Sequence, residues 1–300
     1  MSIFDFQLEK NRANFEPLTP VSFLKRAAQV VPDHVAIIHG KRRYTYRTFL
    51  DRSCRLANAL SARNIVAGDC VAIMAANTPE MLEAHNAVPM IGAVLNSLNI
   101  RLDPQTIAFV LEHGEAKVLL TDCAFSPVVK DALALIDREI LVIDIDDSES
   151  EGGERLGEMT YEEFIESVSG EFSSEQPTDE WQALSLLYTS GTTGNPKGCV
   201  YHHRGAYLNA IGNMTTMGLN RNSVYLWTLP MFHCDGWTFT WAVTAAMGTH
   251  VCLRAVEPKA VFDSISENSV THMCGAPIVM NLLANAPKEM KTPFSQTVEI

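Results

Sequence analysis

Two spacings of apolar residues alternate along this chain. From Cys70 onward, short runs of Val, Ile and Leu are separated by stretches of helical period. CVAIMAA (70–76), AVLNSLN (93–99), AKVLLT (116–121), EILVID (139–144) and ALSLLYT (183–189) read as strands apolar on both sides. Asn77, followed by Pro79 and Glu80, has the chemistry of a helix cap and first turn. Asp103-Pro104 opens a second helix ending at Gly114, and SPVVKDALALID supplies a third. The rhythm resumes with VYLWT (224–228), THVCLR (249–254) and VTHMC (270–274). Upstream, VAIIHGKRRYTY reads as a hairpin before an amphipathic helix on Phe49, Ser53, Leu56, Ala57 and Leu60. The final FSQTVEI looks like a strand just starting. The pattern predicts an α/β protein of two stacked, mostly parallel sheets with helices on their faces.

Charge changes this picture in one place. Residues 144–180 hold 14 Asp and Glu against one Arg, so the net charge of −12 belongs to that segment and the remainder is about neutral. Such a run reads as a solvated loop carrying a short amphipathic helix. The start of the chain lacks a charged head followed by an apolar stretch, and no apolar run is long enough to span a membrane. Seven widely spaced Cys suit reduced thiols. A cytoplasmic protein is the expectation.

YTSGTTGNPKG (188–198) carries the most specific chemistry. It fails the Walker pattern: counted from Gly191, the second required Gly falls on Pro196, and Lys197 is followed by Gly198. Gly191, Gly194 and Gly198 nonetheless allow close backbone approach. Thr189, Ser190, Thr192 and Thr193 offer hydroxyls, and Lys197 adds a cation, so the stretch can form a nest for phosphate oxygens. A flexible Gly/Thr turn between strands is the bland alternative. The loop follows a strand, where ligands of open α/β sheets sit, and GCVYHH reads as a further strand before any helix.

These residues resemble the phosphate-loop signature of the adenylate-forming superfamily, which comprises acyl-CoA synthetases, peptide-synthetase adenylation domains and firefly luciferase. The stretch from YTYRTFLDRS to KVLLTD is similar to that superfamily's N-terminal region, LPMFHCDGW to its next motif, and THMCGAPIVMNLL to its acid-pocket strand and helix. The likeness is greatest to fatty-acyl-CoA synthetases. It implies that a carboxylic, here fatty, acid attacks ATP to give an acyl-adenylate, and that coenzyme A then takes the acyl group as a thioester. Thr189, Ser190, Gly191, Thr192, Thr193, Gly194 and Lys197 would hold phosphates, with Mg²⁺ neutralising charge. His233 would lie at the carboxylate and adenylate as the catalytic candidate. Trp237 would gate the acyl tunnel, and Gly275, Ala276 and Pro277 would floor the pocket. On periodicity alone, Trp237 is instead a core aromatic of GWTFTWAV. Arg254, at a strand end, could meet a coenzyme A phosphate, but reads better as a surface Arg.

The resemblance further implies an N-terminal AMP-binding domain whose layers interlace. Residues of about 65–210 form one layer, with the acidic insert 144–180, and about 15–60 plus 215–300 form an incomplete second one. The later Mg²⁺-binding Glu, ribose-binding Asp and catalytic Lys of the C-terminal domain are not in the sequence. The expectation is an N-terminal fragment, weakly active or inactive alone, from a protein that the resemblance allows to be a homodimer. A non-catalytic nucleotide-binding module, or an adenylating enzyme with another acceptor, is the alternative.

Remaining motifs weigh less. His250-x-Cys252, His272-x-Cys274 and Cys199 with His202 and His203 are residue types that zinc uses, but neutral His and Cys are ordinary in buried strands. No metal site is expected. KRRYTYR spans a hairpin turn and makes no long basic stripe, so no nucleic-acid partner is expected. Hydrolase signatures such as G-x-S-x-G and H-E-x-x-H do not occur.

Overall fold

The computed structural model describes residues 2–11, 13–171, 177–189 and 194–300. Among the described residues, twelve strands form two sheets. The five-stranded sheet contains β1 (Val35–His39), β2 (Arg42–Thr45), β10 (Val224–Leu226), β11 (Thr249–Val251) and β12 (His272–Met273), in the order β12-β10-β11-β1-β2. The seven-stranded sheet contains β3 (Cys70–Met74), β4 (Val94–Ser97), β5 (Ala116–Asp122), β6 (Leu141–Ile145), β7 (Met159–Thr160), β8 (Ala183–Thr189) and β9 (Lys197–His202). Its order is β7-β6-β5-β3-β4-β8-β9. All pairings are parallel except the β1–β2 and β8–β9 hairpins. This is the doubly covered α/β architecture that the apolar runs predict.

Alternation along β3 shows how the sheet is covered. Val71 and Ile73 join a core shared with Tyr225 and Trp227 of the other sheet, whereas Cys70, Ala72 and Met74 face an outer cluster with Ile107 and Leu111. The shared core is filled by helices Tyr46–Ala62, Pro79–Met90 and Phe239–Ala245. Every residue of Pro79–Met90 is buried, including Glu80, Glu83, His85 and Asn86. The helix is thus enclosed, and its polar residues need partners inside.

Those partners correct three readings. Asn77 is not the cap, a place taken by Thr78. Its amide instead donates to the carbonyls of Trp227 and Leu229 at 3.1 and 2.8 Å, and its oxygen accepts from Met231 N–H at 2.8 Å. Arg254 is no surface residue: it pairs with Asp122 at 2.8 Å and with Asp147, both fully buried. The acidic segment is only in part a solvated loop. Thr160 and Glu163 form a capping box on a short helix, Tyr161–Glu166, as its composition suggests. However, Asp147 also binds His39 and Arg42, and Glu162 binds Arg52, which in turn grips Glu83 at 2.6 Å. The segment thus supplies Asp147 and Glu162 to an ion network whose other acids are Glu80, Glu83 and Asp122.

Strand VYLWT stops at Leu226 because Thr228 N–H turns back onto the Leu226 carbonyl at 3.0 Å. FSQTVEI forms no strand; its Glu299 alone makes an isolated parallel bridge to His272.

Candidate functional site

β3, β4, β8, β10 and β12 place their carboxyl ends next to the segments singled out by sequence, which is where parallel sheets expose loop backbone to ligands. β8 and β9 pair antiparallel with Thr189 opposite Lys197, so the Gly/Thr stretch closes a hairpin at the sheet edge. Ser190, Gly191, Thr192 and Thr193 lie outside the described residues. Thr189 and Lys197 are exposed at the hairpin base, and Lys197 makes no ion pair with the described residues. Gly194 has φ +94° and open space where a Cβ would stand.

After β10 the chain reaches His233, which is exposed, and then makes a left-handed turn. Cys234, Asp235, Gly236, Trp237 and Thr238 all have φ between +50 and +62°. Four of these are not glycine, and a left-handed backbone costs such residues roughly 1–2 kcal/mol each. Surrounding contacts sustain it. Gly236 N–H and Thr238 N–H close on the carbonyls of His233 and Asp235 at 3.0 and 3.1 Å. Asn213, from helix His203–Thr216, donates to the Trp237 carbonyl at 2.6 Å, and Asn209 donates to the Thr238 hydroxyl at 2.9 Å. Gly236 packs against Trp227 so tightly that a Cβ would fall 2.5 Å from the indole.

The turn carries Trp237 outward, 58% exposed, so it is not the core aromatic that periodicity suggests. Trp241 takes that place, fully buried, with its indole N–H on the His85 carbonyl at 3.1 Å. Asp235 points the other way, into the protein, where the Ser185 hydroxyl of β8 donates to its carboxylate at 3.0 Å. The Tyr201 hydroxyl of β9 meets the Cys234 thiol. Turn and β8–β9 hairpin are therefore bonded to each other. A recess of about 250 Å³ opens beside them, lined by Tyr201, Gly205, Asn209 and Thr238 among others.

Gly275, Ala276 and Pro277 follow β12 and start helix Pro277–Ala284. Ala276 and Pro277 are exposed and Gly275 half-buried. The Thr228 hydroxyl donates to the Cys274 carbonyl at 2.6 Å, which fastens this segment to the one leading to His233. Sequence reasoning missed Ser185, Asp235 and His85. The Asp-Gly pair in FHCDGW was the available sign of a special turn. His250 is committed elsewhere, accepting from Trp227 Nε1 at 3.1 Å and meeting Thr244 at 3.0 Å. Among the described residues, no helix is long and apolar enough to cross a membrane.

Comparison with known proteins places this geometry. Residues 24–299 match the family described as AMP-binding enzyme. An acetate/butyrate–CoA ligase of Arabidopsis thaliana, named as peroxisomal, is 45% identical over 306 residues, covering 98% of this chain and 54% of its own. A trans-cinnamate:CoA ligase of Petunia hybrida, also named as peroxisomal, is 40% identical over 309 residues, with the same coverage of 98% and 54%. The chain thus spans about half the length of the curated relatives it matches. Among solved structures, a fatty acyl CoA synthetase of Mycobacterium tuberculosis superposes with a TM-score of 0.77 at 23% identity, over 91% of this chain and 52% of that one.

Proposed function

The chain belongs to the AMP-binding enzyme family, and from that premise we propose that it serves the ATP-dependent activation of a carboxylic acid and its transfer to coenzyme A. The observation that carries this reading is the bonding of three separate segments along the strand ends. The β8–β9 hairpin, the turn after β10 and the segment after β12 are fastened by Ser185–Asp235 and Thr228–Cys274. In this reading Thr189, Gly194 and Lys197 hold the phosphates of ATP, with Ser190, Gly191, Thr192 and Thr193 completing the cradle. ATP presents an electrophilic phosphorus that the acid carboxylate attacks; Lys197 stabilises the negative charge on the departing pyrophosphate. Mg²⁺ is proposed to travel with the nucleotide, and no residue described here is assigned to it. His233 orients the carboxylate, and coenzyme A is the proposed acceptor.

The acid is proposed to be fatty, on the strength of exposed Trp237 as a gate over the site, with Gly275, Ala276 and Pro277 forming its wall. A second reading, a short-chain acid, is favoured by the small recess beside Thr238 and by the name of the Arabidopsis relative. The two relatives named above differ in acid at similar identity, so likeness alone does not choose. ATP–pyrophosphate exchange with acetate, butyrate, a medium-chain fatty acid and cinnamate tests both. The proposal expects slow, acid-dependent exchange, greatest with the fatty acid; preference for acetate or butyrate supports the second reading. Exchange without acid dependence overturns the function. The cytoplasmic placement belongs to this proposal too, and the peroxisomal relatives make a tagged protein imaged beside a peroxisomal marker its test.

A further inference from the structure

At the centre of the left-handed turn, Asp235 is wholly buried, two residues from both His233 and Trp237. We infer that Asp235 is a positioning residue: its carboxylate latches the turn that presents His233 and Trp237 onto the strand that leads into the phosphate hairpin. Ser185, the donor at 3.0 Å, lies four residues before Thr189 on β8. A strand hydrogen-bonded on both sides, to β4 and β9, is stiff, so the latch fixes the acid-site turn relative to the hairpin base.

The second partner is His85, from the enclosed helix Pro79–Met90. Its Nε2 lies 3.3 Å from Asp235 Oδ1, and neither side chain is exposed. His85 Nδ1 sits 2.7 Å from the Met81 carbonyl, which can only accept, so Nδ1 carries a hydrogen. The contact is a close approach without a hydrogen bond: His85 Nε2 and the other carboxylate oxygen, Asp235 Oδ2, are both buried without a hydrogen-bond partner among the described residues. Trp241 holds the His85 ring edge-on, with centroids 5.6 Å apart. The other titratable groups beside Asp235 are Tyr201 and Cys234.

Asp tolerates left-handed backbone better than most residues, so the turn could in principle owe its shape to that preference alone. Ser185→Ala separates the two explanations, because it removes the latch and leaves Asp235 in place. The readout is the ¹⁹F NMR spectrum of the chain labelled with 5-fluorotryptophan, whose four Trp give four lines. Trp237→Phe assigns the one of interest, and circular dichroism confirms that each variant is folded. Ser185→Ala and Asp235→Ala are expected to shift and broaden the Trp237 line. Asp235→Asn, which keeps an acceptor for Ser185 and the left-handed tolerance, restores it close to the wild-type position. A Trp237 line unmoved in Ser185→Ala overturns the inference, as does an Asp235→Asn line displaced as far as that of Asp235→Ala. Should Asp235→Ala fail to fold, the smaller Ser185→Ala change still decides. The inference rests on the functional reading only in naming His233 and Trp237 as acid-site residues; its test needs no turnover, so either can fail without the other.

Discussion

The indole N–H of Trp227 donates to His250 Nδ1, and His250 Nε2 faces the Thr244 hydroxyl, whose own hydrogen goes to the Thr240 carbonyl. Both nitrogens are thus committed in the neutral ring, and burial lowers its pKa from 6.5 to about 3. Burial, with His202 adding to it, likewise lowers His203 to about 4. Both folded values lie below the unfolded one. The stability they contribute is therefore present above about pH 6.5 and lost as pH falls toward 4, at about 1.4 kcal/mol per pH unit for each group. Melting temperature should drop steadily between about pH 6.5 and pH 4.5, and His203→Gln should flatten that slope. Gly236→Ala should destabilise by about 1–3 kcal/mol in urea unfolding, since its Cβ would meet Trp227 in a left-handed backbone. At this scale sequence was a partial guide. Its motifs nominate His233 and Lys197 as candidates, but the partners of Asp235 are 50 and 150 residues away, and no local pattern encodes that.

Elements were the most legible scale. Buried strands must be apolar on both sides, so β3, β5 and β8 announced themselves, and Asp103 does cap its helix through Thr106 N–H at 3.0 Å. Helix Pro79–Met90 was not legible as enclosed, because Glu80, Glu83, His85 and Asn86 are residue types that are mostly exposed. Its entry residue Asn77 was misread for the same reason: capping chemistry and tertiary bonding use the same side chain. Asn77→Ala leaves buried Met231 N–H without its acceptor and two carbonyls without their donor. Chemical denaturation should show a loss of about 1–3 kcal/mol for the orphaned group, and no smaller a loss from Asn77→Asp, which keeps the acceptor but turns a buried carboxylate oxygen toward the Trp227 and Leu229 carbonyls.

Across the whole molecule, the two sheets are joined by a shared core and by an ion network in which Asp147 and Glu162, from the segment that looked solvated, join Glu80, Glu83 and Asp122. Arg254 is central: its loss would leave Asp122 without the ion pair that Arg254 supplies and weaken the hold on Asp147. Arg254→Met should cost about 3–5 kcal/mol in unfolding free energy, against little for Arg155→Met, whose pair with Asp146 is exposed. The network was invisible in sequence because charge runs are usually hydrated, and only the fold brings residues 42, 122, 147 and 254 together.

The central claim, that the β8–β9 hairpin grips nucleotide phosphates for acid activation, is tested most directly by calorimetric titration of the chain with ATP and Mg²⁺. The account predicts measurable binding that weakens at least about tenfold in Lys197→Ala, the loss of one charge-assisted contact. No binding of ATP, or equal affinity in wild type and Lys197→Ala, would contradict it.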